Sequence, residues 1–229
     1  MVCKEILIWG AYELLILYGS SAKNVRVPLD YGVELFSGLR YYINGDCMGD
    51  LKIDFDSIRL IEPCAEYMES FRSSFREYRL KRVEDFSYPR VNSRREQRAF
   101  LRRTKDNRLG RNMPSGRVPH SNFWLVDKYN YLGSGDIRHF LTDSLRKLGG
   151  NIGYSIRPAA WGQGLGTMQL ALLLPEAKKL NIPAPIITCF EHNIASAKVI
   201  EKNGGILIEK TYNRYNGVDL LTRIYRINL

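Results

Sequence analysis

Between Ile156-Arg157-Pro158 and an apolar helical stretch stands the segment Trp161-Gly162-Gln163-Gly164-Leu165-Gly166-Thr167. A strand, a turn of alternating glycines and a helix start gather several unpaired backbone N–H groups at one point, and such a cluster binds phosphate oxygens. The glycines let the backbone approach a bulky anion and reach dihedrals that a side chain forbids. Spacing excludes two familiar phosphate loops. A Walker-type loop needs Lys followed by Ser or Thr after its last glycine, whereas Gly166 is followed by Thr167-Met168. A dinucleotide fingerprint reads Gly-x-Gly-x-x-Gly with an acidic residue about 20 positions on. Here the order is Gly162-x-Gly164-x-Gly166, and Ala184-Pro185-Ile186 stand where the acid would be.

Four signals follow one another along the chain: Arg157-Pro158, then Gly162 to Thr167, then Asn193-Ile194-Ala195-Ser196, then Glu201-Lys202-Asn203-Gly204-Gly205. In that order and spacing the chain resembles the GNAT superfamily of N-acetyltransferases, whose fingerprint is Gln/Arg-x-x-Gly-x-Gly/Ala between the fourth strand and the third helix. It is similar to a bacterial subgroup of predicted acetyltransferases through Ile137-Arg138-His139, Gly149 to Tyr154 and Asn193 to Gly205. The resemblance implies an α/β (α+β) GNAT fold with a mixed central sheet of about six to seven strands and about four helices, splayed between strands four and five.

The resemblance also implies a site. Acetyl-CoA would be the cosubstrate, its pantetheine arm lying along the backbone of Tyr154, Ser155 and Ile156 like an added strand. Its pyrophosphate would sit on the N–H groups of Gly162, Gln163, Gly164, Leu165, Gly166 and Thr167, at the positive end of the following helix. Asn193 and Ser196 match positions whose side chains contact the coenzyme arm. The acetyl group would pass to a primary amine of a small molecule, peptide or protein by direct attack in a ternary complex.

Such a transfer needs a proton acceptor for the amine, a donor to hold the oxyanion and a proton for the leaving thiolate. A backbone N–H of the fourth strand meets the second need. Asp136, His139 and Glu191 are the candidates for the base, the first two from opposite faces of the third strand and the last from the end of the fifth. The chain departs from the family pattern twice. Trp161 stands at the first fingerprint position, usually Gln or Arg. Ile200 stands where many members carry the tyrosine that protonates the thiolate, which leaves Tyr212, Tyr215 or water for that role. The alternative is an acyl-CoA-binding sensor without efficient turnover.

The organisation reads as an N-terminal extension over 1–56 and a GNAT domain over 57–229. Within the domain the pattern predicts a strand over 57–61 and a helix over 65–82 with Met68, Phe71, Phe75 and Tyr78 on its buried face. Asn92-Ser93 can cap a second helix, which Gly110 and Pro114 stop. Strands over 123–126 and 131–140 form a hairpin, a fourth strand covers 151–157 and a helix covers 167–180. A strand over 186–190 and a helix over 193–203 follow, then two strands turning at Asn216-Gly217. In the extension, 39–43 and 51–55 read as strands.

Net charge is +10, and much of it is local, with nine basic residues from Arg94 to Arg117 against Glu96 and Asp106. A solvated helix face is the favoured explanation. Nucleic-acid binding through phosphate neutralisation, and attraction of an acidic acceptor or of the phosphates of coenzyme A, stay open beside it. Cys3, Cys47, Cys64 and Cys189 are widely spaced, which indicates neither a metal site nor a disulfide framework, and suits reduced thiols in the cytoplasm. The apolar run from Ile6 to Tyr18 has 13 residues, short of the about 17–25 a membrane span needs. Glu13 within it argues against a signal peptide. A homodimer is compatible with the sequence and not dictated by it.

Overall fold

A computed structural model of the chain describes the backbone of five strands between Glu5 and Cys47, together with residues 51–81, 83 and 89–229. The chain divides into two compact units, Met1–Leu51 and Lys52–Leu229. In the first, β1 (Glu5–Trp9), β2 (Glu13–Tyr18), β3 (Ser21–Arg26), β4 (Tyr41–Ile43) and β5 (Asp46–Cys47) form one sheet in the order β3-β2-β1-β4-β5. The apolar run from Ile6 to Tyr18 is shared by two antiparallel strands, in register from Glu5 opposite Leu17 to Trp9 opposite Glu13. The strand expected over 51–55 does not form. Residues 51–54 are irregular, and Phe55–Ser57 make a single 3-10 turn. The cause is long-range hydrogen bonding: Asp54 N–H donates to Asp127 Oδ2 at 3.1 Å, and Ser57 Oγ accepts from Lys128 N–H at 2.8 Å.

The second unit begins with β6 (Arg59–Ile61), α1 (Met68–Leu80), α2 (Arg94–Arg108), β7 (His120–Val126), β8 (Tyr131–Arg138), α3 (Asp143–Lys147) and β9 (Ile152–Ile156). It continues through α4 (Leu165–Lys179), β10 (Ile186–Phe190), α5 (Ile194–Lys202), β11 (Ile206–Tyr215) and β12 (Val218–Arg226). Strands β6-β7-β8-β9 form an antiparallel sheet and β10-β12-β11 a second one.

Local chemistry explains the elements. Ser93 and Glu96 form a reciprocal capping box at the start of α2. Asn216 (φ 48°) and Gly217 (φ 83°) take the left-handed conformations of a two-residue hairpin turn between β11 and β12. The apolar face of α1 buries Met68, Phe71, Phe75 and Tyr78, with the Phe71 ring 4.6 Å from Trp124 and 4.9 Å from Tyr131.

On the opposite face of β8, Leu170, Leu173 and Ala177 of α4 pack with Ile137, Ile152 and Ile187. Gly135 permits that approach, since a Cβ there would lie 2.7 Å from Leu173 Cδ1. The β7–β8–β9 sheet is therefore covered by α1 and α2 on one side and by α4 and α5 on the other. The site is built where this sheet meets β10.

Candidate active site

Strands β9 and β10 touch at their beginnings and then part. Asn151 N–H donates to Ile186 C=O at 2.6 Å, and Ile186 N–H returns to Asn151 Oδ1 at 2.9 Å. Among the described residues no backbone ladder continues between the two strands, which belong to separate sheets. This is the splay expected between strands four and five.

Antiparallel pairing decides which peptide groups face the gap. Arg157 N–H donates to Leu132 C=O and Arg138 N–H to Asn151 C=O, so odd-numbered β9 residues bond to β8 and Tyr154 and Ile156 turn to the open edge. Ser155 lies opposite Ser134 and turns its peptide to β8. Strand addition along β9 thus falls on Tyr154 and Ile156. The Ile156 carbonyl accepts from Tyr78 OH at 3.1 Å and Trp161 Nε1 at 2.7 Å, so the groups without these partners at that edge are the Tyr154 peptide and the Ile156 N–H. The Tyr154 side chain goes to α5, where its OH meets Ser196 Oγ at 3.0 Å. Burial pushes that phenol upward.

The glycine segment opens at the end of the same strand. Gly162 (φ 76°) and Gly164 (φ 79°) are left-handed, and a Cβ on either would meet nothing within 4 Å. Gly164 is the N-cap of α4 and its carbonyl accepts from Thr167 and Met168 N–H. The N–H groups of Gly162, Gln163, Gly164, Leu165 and Gly166 have no acceptor among the described residues. Thr167 N–H, by contrast, is already engaged. Gly166 lies close under α5, where a Cβ would stand 3.2 Å from Val199 Cγ2.

A buried ion pair fixes the approach to this segment. Arg157 pairs with Glu77 of α1, donates to Tyr131 C=O at 3.0 Å and reaches Ser70 Oγ at 3.2 Å. Glu77 Oε2 also accepts from Ala159 N–H at 3.0 Å. The chain between β9 and the glycines is thus tied to α1. Trp161, in place of the usual Gln or Arg, uses its ring nitrogen to pin the segment to β9 rather than to reach outward.

On the α1–α2 face of the sheet lies a cleft of about 670 Å³. Its walls include Phe71 and Phe100, its floor Asn122, Ser134 and Asp136, and its charged groups Arg103, Arg117 and Arg138. Asp136 stands opposite Asn122 in the β7–β8 register and opposite Gly153 in the β8–β9 register. Its side chain is 29% exposed and lies 3.3 Å from Arg138 Nη2. Burial pushes the Asp136 carboxyl up, and Arg138, His120 and Arg117 pull it partly back.

The other candidate catalytic groups are elsewhere. His139 is not on the cleft wall. Its Nε2 meets Ser121 Oγ at 3.0 Å, and Ser121 pairs with Ile137, whose side chain packs against α4. Burial lowers its pKa, which favours the neutral ring. Glu191 receives Arg223 at 2.6 and 2.8 Å and Lys210 at 3.1 Å, contacts that pull its carboxyl down to about 2. A carboxylate so stabilised is a weak proton acceptor. Tyr212 is 71% exposed on β11, and the Tyr215 ring lies 5.3 Å from Phe190. Ile200, on the inner face of α5, is fully buried in the core. Asn193 Oδ1 caps α5 by accepting Ser196 N–H at 3.0 Å.

Two residues of this arrangement carry no sequence motif. Counting back through the hairpin turn at 127–130 would set Ser121 beside Asp136; the register shift between Leu125 and Val126 brings Asn122 there instead, and no sequence signal marks it. Glu77 lies 80 positions from Arg157 and has no local signal. Among the described residues, no group of three or more His, Cys, Asp or Glu could hold a metal ion, and no helix is long and apolar enough to cross a membrane.

Residues 60–206 match the family model described as an acetyltransferase (GNAT) domain. The chain belongs to the GNAT acetyltransferase family. Its fold is similar to that of the microcin C7 self-immunity acetyltransferase MccE in complex with acetyl-CoA and AMP. That match has 18% identity and a TM-score of 0.57, and covers 76% of this chain and 93% of that one. It is also similar to RimL, a ribosomal L7/L12 α-N-protein acetyltransferase in complex with coenzyme A, at 16% identity and TM-score 0.58 over 78% and 97% of the two chains. A ribosomal-protein-S5-alanine acetyltransferase from Vibrio fischeri matches at 14% identity and TM-score 0.57, over 78% and 97%. No curated protein matches the chain significantly. The splayed strands and the helices on both faces of the sheet are thus those of the GNAT fold.

Proposed function

We propose that the protein transfers an acetyl group from acetyl-CoA to a primary amine by direct attack in a ternary complex. The observation that carries this reading is the row of unengaged N–H groups from Gly162 to Gly166, at the start of α4 and beside the open edge of β9. These groups fit a pyrophosphate, because five consecutive N–H groups lack an acceptor among the described residues, Gly162 and Gly164 leave open space and the helix dipole favours negative charge. Tyr154 and Ile156 would hold the pantetheine arm, with Asn193 and Ser196 at the start of α5 beside it. Bound acetyl-CoA supplies an activated acyl thioester.

The chain's own groups do the rest. The Ile156 and Tyr154 N–H groups can donate to an oxygen on which charge develops, in a fixed orientation. Asp136 lies across the β8–β9 ladder from Gly153, on the cleft side, and its raised pKa makes it a better base than an ordinary carboxylate. A C–N bond forms and the thioester C–S bond breaks; the amine proton passes to Asp136 and on to solvent, and the thiolate takes a proton from solvent water in return. Ile200 offers none.

The test is release of free thiol from acetyl-CoA across a panel of primary amines, with mass detection of the acetylated product. Amine-dependent release together with a product in which an acetyl group replaces one hydrogen of the amine supports the transferase. Tight coenzyme binding with no amine-dependent release would instead make the protein an acyl-CoA sensor.

A further inference from the structure

The charges of the cleft on the α1–α2 face are arranged unevenly. Asn122 lines it, and its Oδ1 is buried without a hydrogen-bond donor among the described residues. A buried acceptor left unpaired costs free energy comparable to a lost hydrogen bond, so a small side-chain adjustment that brings this atom to an incoming N–H is favoured. Asp136 is its direct neighbour across the β7–β8 ladder. Together they present one neutral oxygen and one carboxylate on the same face of the sheet.

The remaining charges of the cleft have the opposite sign. Arg138 is engaged by Asp136 and by the Gly149 and Gly150 carbonyls at 3.0 and 2.9 Å. Arg103 and Arg117 are exposed, line the cleft and meet no carboxylate among the described residues. Arg103 lies over the Phe100 ring at 6.0 Å. His120 lines the same cleft, its Nδ1 at 3.0 Å from the Val118 carbonyl. A second cation on the acceptor would therefore meet two guanidinium groups, whereas an anion would find two planar donors suited to carboxylate or phosphate.

We infer that the acceptor is a small amine bearing a carboxylate or phosphate on the same molecule, its amine seated between Asn122 and Asp136 and its anion on Arg103 and Arg117. The inference rests on the transferase reading and names its substrate class. The cleft volume suits a small molecule, and Phe71, Phe100 and Trp124 offer it an apolar wall.

Two measurements test this on the full chain. Thiol release is compared for L-leucine, phosphoethanolamine, n-butylamine, spermidine and an acidic pentapeptide. Separately, calorimetry measures binding of the first four to protein saturated with coenzyme A. Leucine or phosphoethanolamine should exceed n-butylamine by about 10-fold or more in kcat/KM and in affinity, the scale of one charge-assisted contact. Which of the two leads distinguishes carboxylate from phosphate. Arg103→Gln with Arg117→Gln should reduce that ratio to about 2-fold, and added salt should narrow it in the wild type. Equal or better use of n-butylamine or spermidine overturns the inference, and so does a clear preference for the pentapeptide. Calorimetric selectivity for the zwitterions without thiol release would sustain the acceptor site and defeat the transferase reading. Thiol release without selectivity would do the reverse.

Discussion

Glu77 on α1 and Arg157 at the end of β9 form an ion pair whose side chains are only 11% and 5% exposed. Each end has further partners, Ala159 N–H on the carboxylate and the Tyr131 carbonyl on the guanidinium. The pair therefore couples α1 to the chain that leads into the glycine segment. A buried pair of this kind is costly to break from one side, because the survivor is an unpaired charge in a low-dielectric site.

Glu77→Leu should accordingly lower stability by about 3–5 kcal/mol. Urea unfolding reads this as a reduced midpoint at unchanged slope. A loss below about 1 kcal/mol, the scale of an exposed pair, would show that the contact holds little.

Gly133 faces Ile156 across β8–β9, and a Cβ there would press on the Ser155 carbonyl and lie 2.9 Å from Ile156 Cδ1. Backbone cannot yield as a flexible side chain does. Gly133→Ala should destabilise by about 1–3 kcal/mol and weaken acetyl-CoA binding, since it displaces the strand whose edge carries Tyr154 and Ile156. Wild-type affinity in a destabilised variant would argue that the edge of β9 takes no part in binding.

Glu191 gives a pH signature. Its folded pKa of about 2 lies below the ordinary 4.5, so its contribution to stability is fully present above about 4.5 and is lost as pH falls toward 2. Glu191→Gln should flatten the acid limb of stability in that window and leave the neutral-pH rate profile unchanged. A shifted profile near neutrality would return Glu191 to the catalytic candidates.

Asp136 has the opposite sign. Its carboxyl is raised above the ordinary 3.8, and the base must be deprotonated, so kcat/KM should climb with pH through an apparent pKa above that value. Asp136→Asn should remove this limb and lower the rate about 10²–10⁴-fold. Retention of both rate and limb would exclude Asp136 as the base.

Much of the fold was legible because its signals are local. Ser93 with Glu96 marked the start of α2, and Asn216-Gly217 marked the last hairpin. The ordered glycines placed α4 behind a strand. The strand expected over 51–55 failed because Asp54 and Ser57 bond instead to the turn at 127–130, more than 70 positions away. The tie between Glu77 and Arg157 is long-range for the same reason. For the site, residue type alone offered Asp136, His139 and Glu191 as equals. Only register and ion pairing separate them: Asp136 lines the cleft, His139 turns to Ser121, and Glu191 is held by Arg223 and Lys210.

The central claim is that the N–H groups from Gly162 to Gly166 receive the pyrophosphate of acetyl-CoA. Its most direct measurement is thermal unfolding with acetyl-CoA titrated into the wild type, Gly164→Ala and Gly164→Asp. At a hundredfold excess over Kd the wild type should gain about 2.7 kcal/mol. Gly164→Ala should keep a reduced gain, since its Cβ would meet open space and suffers only from the left-handed φ of 79°. Gly164→Asp should lose the gain, because a carboxylate would stand against the phosphates. A wild type without any shift, or an unchanged shift in Gly164→Asp, would contradict the account.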